Sequence, residues 1–461
     1  MTVGIAGKQN GELLEVKDEL PQDDGSSKVT FAHLQIGQIS PDLAIGADVT
    51  RTVSLKANEL LASTGLILGS RGFVLSGQQA EGLFRRNPVC KRLIFPLRHG
   101  EDINGIPRGA WVIDTNGWSE SDLRDQAPEI YQHLYDTVYR ERQSNRDPKL
   151  RKLWWLFRRS NEQVRGAIAG LFRYIATVET SKHRVFVFLD AATKPEHKLI
   201  IIGSDDAFHL GVLNSRIHVV FALSRRAQLG PTPVYAKTDC FDPFPFPVCG
   251  EAAKAAIRKV AEELDAHRKR VQAKCPAITL TGMYNVLEKL RANQPLTPKE
   301  QAIHEHGLVS VLRQLHDDLD AAVFAAYGWP VTLTEAEILE RLVALNAERA
   351  KEEAQGIIRW LRPEYQASSQ RSAVSSQKEL TLPKGRTKSK ARKGKQSWPK
   401  PLAERVGVVE SALRAAAVPL SGKALAKQFK RAKPAEVEEI LETLCTLGRI
   451  QRAPGVGLFI T

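Results

Sequence analysis

Long apolar runs are missing from this sequence. No stretch approaches the roughly 20 consecutive apolar residues that a membrane-spanning helix requires. The first residues also lack the basic and apolar regions of a secretory signal peptide. These absences exclude an ordinary integral membrane protein and an ordinary secreted protein. We therefore expect a cytoplasmic protein without a membrane partner.

Cysteine is scarce, and it carries no ligand pattern. The five cysteines form no C-x-x-C pair and no spacing typical of zinc, which predicts reduced, free thiols and no metal site. They are Cys90, Cys240, Cys249, Cys275 and Cys445. The tripeptide His304-Glu305-His306 lacks the H-E-x-x-H spacing of a helical metal site, so we interpret it as a solvated turn. No G-x-x-x-x-G-K-[ST] motif occurs, which excludes a P-loop nucleotide site.

Positive charge is what the sequence has in excess. The 461 residues include 66 Lys and Arg against 52 Asp and Glu, which gives a net charge of +14. Such an excess favours a polyanionic partner, most simply nucleic acid, with an acidic membrane surface as the alternative. A hydrophobic content of 43% is sufficient for real cores, and the length suggests about three domains.

One central segment, residues 173–220, has the pattern of a compact sheet. Val185, Val187 and Leu189 alternate with Phe186, Phe188 and Asp190 in the period of a β-strand. Leu199–Ile202 is a short apolar run, as expected for a buried strand. We predict a helix that begins at Ser204-Asp205-Asp206 and a further strand over Arg216–Phe221. A rigid sheet with polar and basic groups at its rim is suited to recognition. The candidate DNA-contacting residues here are Lys182, His183, Arg184, Ser215, Arg216 and His218.

A second candidate surface lies in the segment 139–160, where basic and aromatic residues are interleaved. Lysine and arginine pair with phosphates, and arginine also binds guanine edges. The predicted phosphate contacts are Lys149, Arg151, Lys152, Arg158 and Arg159. The alternative is that Trp154, Trp155 and Phe157 belong to a core and that the basic residues form a solvated face.

The chain also resembles a known family. The segments RYIATVETSKHRVFVFLD, DDAFHLGVLNSRIHVV and TDCFDPFPFP are similar to the target-recognition region of large MmeI-like class I adenine-specific DNA methyltransferases of restriction–modification and phage-defence systems. The resemblance continues through Leu315–Pro330 and Glu337–Gln366 and covers about residues 28–366. It implies that the chain binds double-stranded DNA, and it favours the DNA-contacting interpretation of the basic residues.

The sequence departs from this family in its catalytic motifs. It contains neither the glycine-rich turn that binds S-adenosylmethionine nor the Asn/Asp-Pro-Pro-aromatic motif that holds the flipped adenine. The near matches begin at Asn87, Asp147 and Asp242. We therefore predict no cofactor in this chain. S-adenosylmethionine is expected in a separately encoded catalytic subunit or in a missing N-terminal part. We also expect Met1 to correspond to an internal position of a full-length relative, as in a truncated or split gene product.

The predicted fold is multidomain α+β, with a mixed β-rich recognition module, a helical spacer and a C-terminal winged-helix-like domain. We assign residues 1–50 to the end of a methyltransferase core and 51–250 to the DNA target-recognition domain. Residues 251–366 form a helical domain, with helices predicted over 251–274, 284–292, 298–320 and 335–361. Residues 367–400 form a basic disordered linker. Residues 401–461 form the winged-helix-like domain, with helices predicted over 402–417, 421–430 and 434–447 and a two-stranded wing after them. Four glutamates on the third helix of that last domain (Glu436, Glu438, Glu439 and Glu442) argue against reading of the major groove.

Two other functions remain open from the sequence. Asp190, Glu196 and Lys198 form a D…E-x-K string, which is the composition of a metal-dependent nuclease site. The alternative for these residues is a hairpin with a charged turn. The second alternative function is that of an interaction or regulatory protein that works mainly through its winged helix.

Overall fold

The computed structural model describes residues 11–22, 27–37, 47–225, 228–229, 232–367 and 396–399, and parts of 405–460. The described parts of that last range are 405–406, 408–409, 412–413, 420–426, 429–430, 432–446, 450–452 and 458–460. The chain divides into two compact units, Met1–Lys378 and Glu379–Thr461. Helices and several small sheets occur together, which confirms the predicted α+β class. No helix among the described residues is long and apolar enough to cross a bilayer.

The first unit begins with a hairpin of two long antiparallel strands, β1 (Gly11–Pro21) and β2 (Ser27–Gly37). Val16 lies opposite Phe31 in the register, and about half of each residue is exposed.

The next part of the first unit, residues 62–168, combines short strands and short helices. Its strands are β3 (Ala62–Thr64), β4 (Val74–Leu75), β5 (Ile94–Arg98) and β6 (Trp111–Ile113). Its helices are α1 (Gly77–Arg86), α2 (Gly100–Asn104), α3 (Glu120–Gln126), α4 (Pro128–Leu134), α5 (Arg140–Gln143), α6 (Pro148–Lys152) and α7 (Glu162–Ile168). A π-helical turn, Tyr135–Tyr139, connects α4 to α5. Phe73, Val112, Ile130, Leu134 and Trp154 are among the buried residues of one core here.

Two four-stranded sheets organise the centre of this unit. The strands β7 (Arg173–Val178), β8 (Phe186–Asp190), β9 (Lys194–Pro195) and β10 (Leu199–Ile202) include the two strands predicted from alternation and apolarity. One sheet has the fully antiparallel order β3-β10-β7-β8, and the other has the order β4-β6-β5-β9, in which β9 is parallel to β5. Because β9 lies between β8 and β10 in the chain, one short connection ties the two sheets together.

The predicted strand over Arg216–Phe221 is wrong. The chain forms two helices here, α8 (Ala207–Asn214) and α9 (Arg216–Ser224). β-branched residues such as Ile217 and Val220 favour a strand locally, but both helices are buried on nearly every side, and tertiary packing overrides propensity. The carboxylate of Asp320 also accepts a 2.7 Å hydrogen bond from the backbone N–H of Arg216 and so caps α9.

The remaining elements of the first unit are mostly helical. After β11 (Gln228–Leu229), β12 (Thr232–Pro233) and α10 (Lys237–Cys240) come α11 (Glu251–Lys274), α12 (Leu280–Arg291), α13 (Pro298–His306), α14 (Val309–Tyr327) and α15 (Glu335–Ala354). The prediction for α11 is confirmed at both ends. The single helix predicted over 298–320 is two helices, because Leu308 has a left-handed backbone (φ 46°). His304-Glu305-His306, interpreted as a solvated turn, is the last turn of α13, where Glu305 and His306 are exposed.

One hydrophobic core crosses the boundary predicted at residue 250. It contains β-sheet residues such as Ile175 and Ile201 together with Ile257, Leu319 and Leu342 of the later helices. Gly211 of α8 lets α11 approach closely, since a Cβ atom there would lie 2.5 Å from Cγ2 of Ile257. The sheet and the helices are therefore packed as one body within this unit.

The second unit is small. Its described elements are β13 (Gln396–Ser397), β14 (Leu420–Ser421), α16 (Gly422–Ala426), β15 (Phe429–Lys430), α17 (Pro434–Thr446), β16 (Gln451–Arg452) and β17 (Leu458–Ile460). The predicted third helix and the two-stranded wing are confirmed as α17 and as the antiparallel pair β16–β17. The predicted first helix over 402–417 and the linker over 367–400 lie largely outside the described residues. The winged-helix assignment stays a prediction.

A pair of glycine substitutions tests the close packing of α8 on α11. Gly211→Ala is expected to destabilise the protein by about 1–3 kcal/mol relative to Gly82→Ala, because overpacking strains a filled core. Gly82 also lies within a helix, and a Cβ there meets only Arg86, 3.8 Å away. The gain in helix propensity is common to both variants and cancels. Urea unfolding measures the difference; equal stabilities would show that the helices separate without cost.

Candidate nucleic-acid interface

A cleft of about 640 Å³ lies beside the basic and aromatic segment predicted to bind DNA. One wall is β3 with the residues that follow it, and the other runs from Asp147 to Glu162. Lys149, Arg158 and Arg159 are among its lining residues. Three of the five predicted phosphate contacts in this segment are therefore brought to one concave surface.

Four cations are exposed and unpaired, three that line the cleft and Lys152 on the helix beside it. Lys149, Lys152, Arg158 and Arg159 are all exposed, and within the described residues none of them forms an ion pair or a side-chain hydrogen bond. Lys152 lies three residues after Lys149 on the short helix α6, on the same side of that helix. Arg151 differs, since its guanidinium donates a 2.5 Å hydrogen bond to the carbonyl of Asn145. Four charges are thus available to a ligand.

Buried Arg142 holds the segment that carries these cations. Its side chain is among the largest fully buried ones, and it donates to the carbonyls of Trp154 (3.0 Å), Leu156 (2.5 Å) and Leu68 (2.9 Å). Burial lowers the pKa of Arg142, yet a guanidinium remains protonated at neutral pH. The result is a charged clamp that fixes the backbone just before Arg158 and Arg159.

The aromatic residues of the segment are core residues. Trp154, Trp155 and Phe157 are less than 10% exposed, and the Trp155 indole donates a 2.9 Å hydrogen bond to the carbonyl of Trp118. Of the two interpretations left open by the sequence, packing is the one observed for the aromatic rings. The three rings attach the segment to the core, whereas Arg158 and Arg159 beside them are exposed to solvent.

Asn161 fixes the other end of the segment. It has a left-handed backbone (φ 44°), and its side-chain amide donates to the carbonyl of Thr64 (2.6 Å) and to the hydroxyl of Ser63 (3.1 Å). Two backbone hydrogen bonds, from Arg158 to Leu68 and from Arg159 to Ile67, complete the attachment. Neither Arg142 nor Asn161 was predicted from the sequence to belong to the site. The only signal for Asn161 was its position as a helix N-cap residue before an apolar run.

The predicted contacts at residues 182–184 are engaged within the protein. Lys182 pairs with Glu288 of α12 at 2.7 Å, and His183 lies 2.8 Å from the side-chain oxygen of Asn285. Burial lowers the pKa of His183 and also that of Arg184. Arg184 is buried and donates to Thr177 and to the carbonyl of Val178. Its burial conflicts with the expected contact to DNA.

The predicted contacts at residues 215–218 are also structural in this arrangement. Ser215 and His218 are fully buried, and burial lowers the pKa of His218 to about 3. Nε2 of His218 lies 3.0 Å from the hydroxyl of Tyr235. The guanidinium of Arg216 donates to the carbonyls of Val331 (3.0 Å) and Leu333 (2.6 Å). The expectation of contact with DNA came from the predicted strand, which would have placed these side chains on a sheet rim.

The residues of the candidate nuclease site, Asp190, Glu196 and Lys198, each contact nearby groups of the protein. The carboxylate of Asp190 accepts from the N–H of Ala192, and Lys198 lies 3.4 Å from Glu179. Glu196 accepts from the N–H of Lys198 and lies 3.4 Å from His99. Among the described residues, no three His, Cys, Asp or Glu side chains are grouped closely enough to hold a metal ion. The geometry favours the charged-turn interpretation.

The near matches to a catalytic adenine-binding motif are structural as well. Asn87 and Asp147 cap helical turns with their side chains. The carbonyl of Pro243 accepts from Asn346 (2.7 Å), Asp242 pairs with Lys237 (3.0 Å), and Phe244 is fully buried. This segment is closed to a ligand, so Asp242, Pro243 and Phe244 do not form a pocket for a flipped adenine.

The arrangement of the sheets and helices has a counterpart among solved proteins. The chain shares its fold with the type IIL restriction–modification enzyme MmeI, solved in complex with DNA. The two superpose with a TM-score of 0.53 at 16% sequence identity over 71% of this chain, which spans 40% of the MmeI chain. No protein-family model and no curated protein matches the sequence.

A substitution at Arg142 tests the clamp. Arg142→Met is expected to lower the free energy of unfolding by about 2–4 kcal/mol, because buried carbonyls lose their donor. The control is Arg140→Met on the same helix, where the side chain is 72% exposed and pairs with Asp136 only at the surface. That change is expected to stay within about 0.5 kcal/mol. Equal unfolding midpoints in urea for the two variants would rule out the clamp.

Proposed function

We propose that this chain is the DNA target-recognition part of an adenine-N6 DNA methyltransferase of a restriction–modification or phage-defence system. It binds duplex DNA through the exposed cations at the cleft and recognises a short site. A catalytic half that binds S-adenosylmethionine, on another chain or another segment, flips and methylates the adenine. The observation that carries the proposal is the group of four unpaired cations held rigidly on a fold shared with MmeI, an enzyme solved with DNA.

The cations best able to bind a phosphate are those without a carboxylate partner inside the protein. An exposed lysine or arginine that already pairs with a carboxylate gains little from a phosphate, since it must give up one partner for another. Lys149, Lys152, Arg158 and Arg159 have no such partner among the described residues. Each phosphate contact releases counterions, so binding through these side chains must weaken as salt rises.

The salt dependence of DNA binding tests this use of the cleft. The slope of log K against log[salt] should change by about 0.9 for each phosphate contact removed. Arg158→Ala combined with Arg159→Ala is therefore expected to reduce the magnitude of the slope by about 2. The measurement is anisotropy of a labelled random duplex of about 30 base pairs, a length chosen to cover the sites that recognition modules contact.

Lys182→Ala is the matched control, because Lys182 is as exposed as the cleft cations but pairs with Glu288. It should leave both the affinity and the slope nearly unchanged. An unaltered slope in the double variant, with urea unfolding unchanged, would remove the cleft from the DNA interface. Absence of salt-dependent binding by the unaltered chain would reject the proposed function.

A methyl-transfer assay tests whether methylation requires a separate catalytic half. The chain with S-adenosylmethionine and duplex DNA is expected to transfer no methyl group, because the sequence contains neither catalytic motif. Incorporation of a radioactive methyl group into DNA measures this. A methyltransferase catalytic half that gains site selectivity when this chain is added would support the proposal. Methylation by the chain alone would contradict it.

A further inference from the structure

The interior of the cleft differs from its charged rim. Leu150, Leu153, Leu156 and Phe157 form an apolar floor. Phosphates are recognised by cations and N–H donors, and they gain nothing from apolar side chains. Bases have apolar faces that stack and pack on such surfaces. The floor is therefore suited to a base rather than to a backbone.

Three polar side chains around this floor have no internal role. The amide of Asn116 and the hydroxyls of Thr64 and Ser160 line the cleft, and within the described residues none of them makes a side-chain hydrogen bond. Asn161, in contrast, is fully engaged with Ser63 and Thr64. Amide and hydroxyl groups are the groups that read base edges.

The charges inside the cleft also discriminate between ligands. Asp147 and Glu162 line it together with Lys149, Arg158 and Arg159. A phosphate deep inside would face both carboxylates, whereas a neutral base would not. The cations are then left for the phosphates on either side of that base.

The size of the cleft completes the argument. A volume of about 640 Å³ lies within the range of about 300–1,000 Å³ typical of pockets for one small molecule. A cube of that volume would measure about 9 Å on an edge, whereas the major groove of B-DNA alone is about 12 Å wide. That size matches one nucleotide better than the full width of a duplex.

We infer that the cleft binds one unpaired nucleotide extruded from the duplex, with its base on the apolar floor. Lys149, Arg158 and Arg159 hold the flanking phosphates. This inference rests on the proposed function, since it specifies which part of the DNA the same site receives. It adds a pocket for an unpaired base on the recognition side of the complex, distinct from the catalytic pocket expected in the other half.

The experiment compares two duplexes that differ by one unpaired nucleotide. The cost of extruding a base is smallest where the base is already unpaired, so a duplex with a single-nucleotide bulge is expected to bind about tenfold more tightly than the matched duplex. The affinities of the full chain for both are measured at one salt concentration. Equal affinities would overturn the inference while leaving the proposed function intact. No binding of either duplex would instead remove the proposed function.

A variant that fills the cleft identifies the pocket. Thr64 is exposed on the edge strand β3, so Thr64→Phe adds bulk to the cleft without entering a core. It is expected to abolish the tenfold preference, measured as the ratio of the two affinities at one salt concentration. Val74→Phe, on the exposed edge strand β4 outside the cleft, is the matched control and should keep the preference. Persistence of the preference in Thr64→Phe would overturn the inference.

Asn116→Ala provides a second test that adds no bulk. Removal of an unengaged amide should leave urea unfolding unchanged and reduce the preference for the bulged duplex several-fold, about the effect of one lost base contact. A preference unaffected by both Thr64→Phe and Asn116→Ala would place the unpaired base elsewhere.

Discussion

Irregular backbone inside the first unit needs hydrogen-bond donors, and buried polar side chains supply them. Asn58 donates to the carbonyls of Phe241 (2.9 Å), Asp242 (3.0 Å) and Phe244 (2.8 Å) through one amide group. Arg142 does the same for the basic segment. A buried carbonyl without a donor is costly, so irregular segments that lack backbone partners are stabilised where such a side chain reaches them.

The same constraint joins parts of the chain that are far apart in sequence. Asn346 of α15 exchanges hydrogen bonds with the backbone of Val53 and also donates to Pro243. Glu353 accepts from the N–H groups of Lys56 (2.8 Å) and Ala57 (2.9 Å). A helical spacer that merely followed the recognition module would not need these contacts. The later helices instead form part of the support on which the sheets rest, as their shared core also indicates.

Secondary structure could be predicted from local sequence patterns where burial alone determines the spacing of apolar residues. The apolar run of β10 and the amphipathic helix α11 could be predicted, because burial on two faces or on one face leaves a clear period in the sequence. Arg216–Phe221 could not, since a helix buried all round has no period and its β-branched residues favour a strand. The buried roles of Arg142, Arg184 and His218 were equally hidden. Whether a cation binds a carbonyl or a phosphate depends on long-range packing, not on its neighbours in sequence.

The described arginines of this protein donate to backbone carbonyls, pair with carboxylates or remain exposed. Arg142, Arg184 and Arg216 donate to backbone carbonyls, so their charge is committed to the fold. Arg142 donates to carbonyls of the basic segment. The side chains of Arg158 and Arg159 form no hydrogen bond with the described residues and remain exposed. The net charge of +14 thus says little about affinity for DNA. In the proposed function, the cations that bind DNA are those that the fold leaves free and holds next to one another.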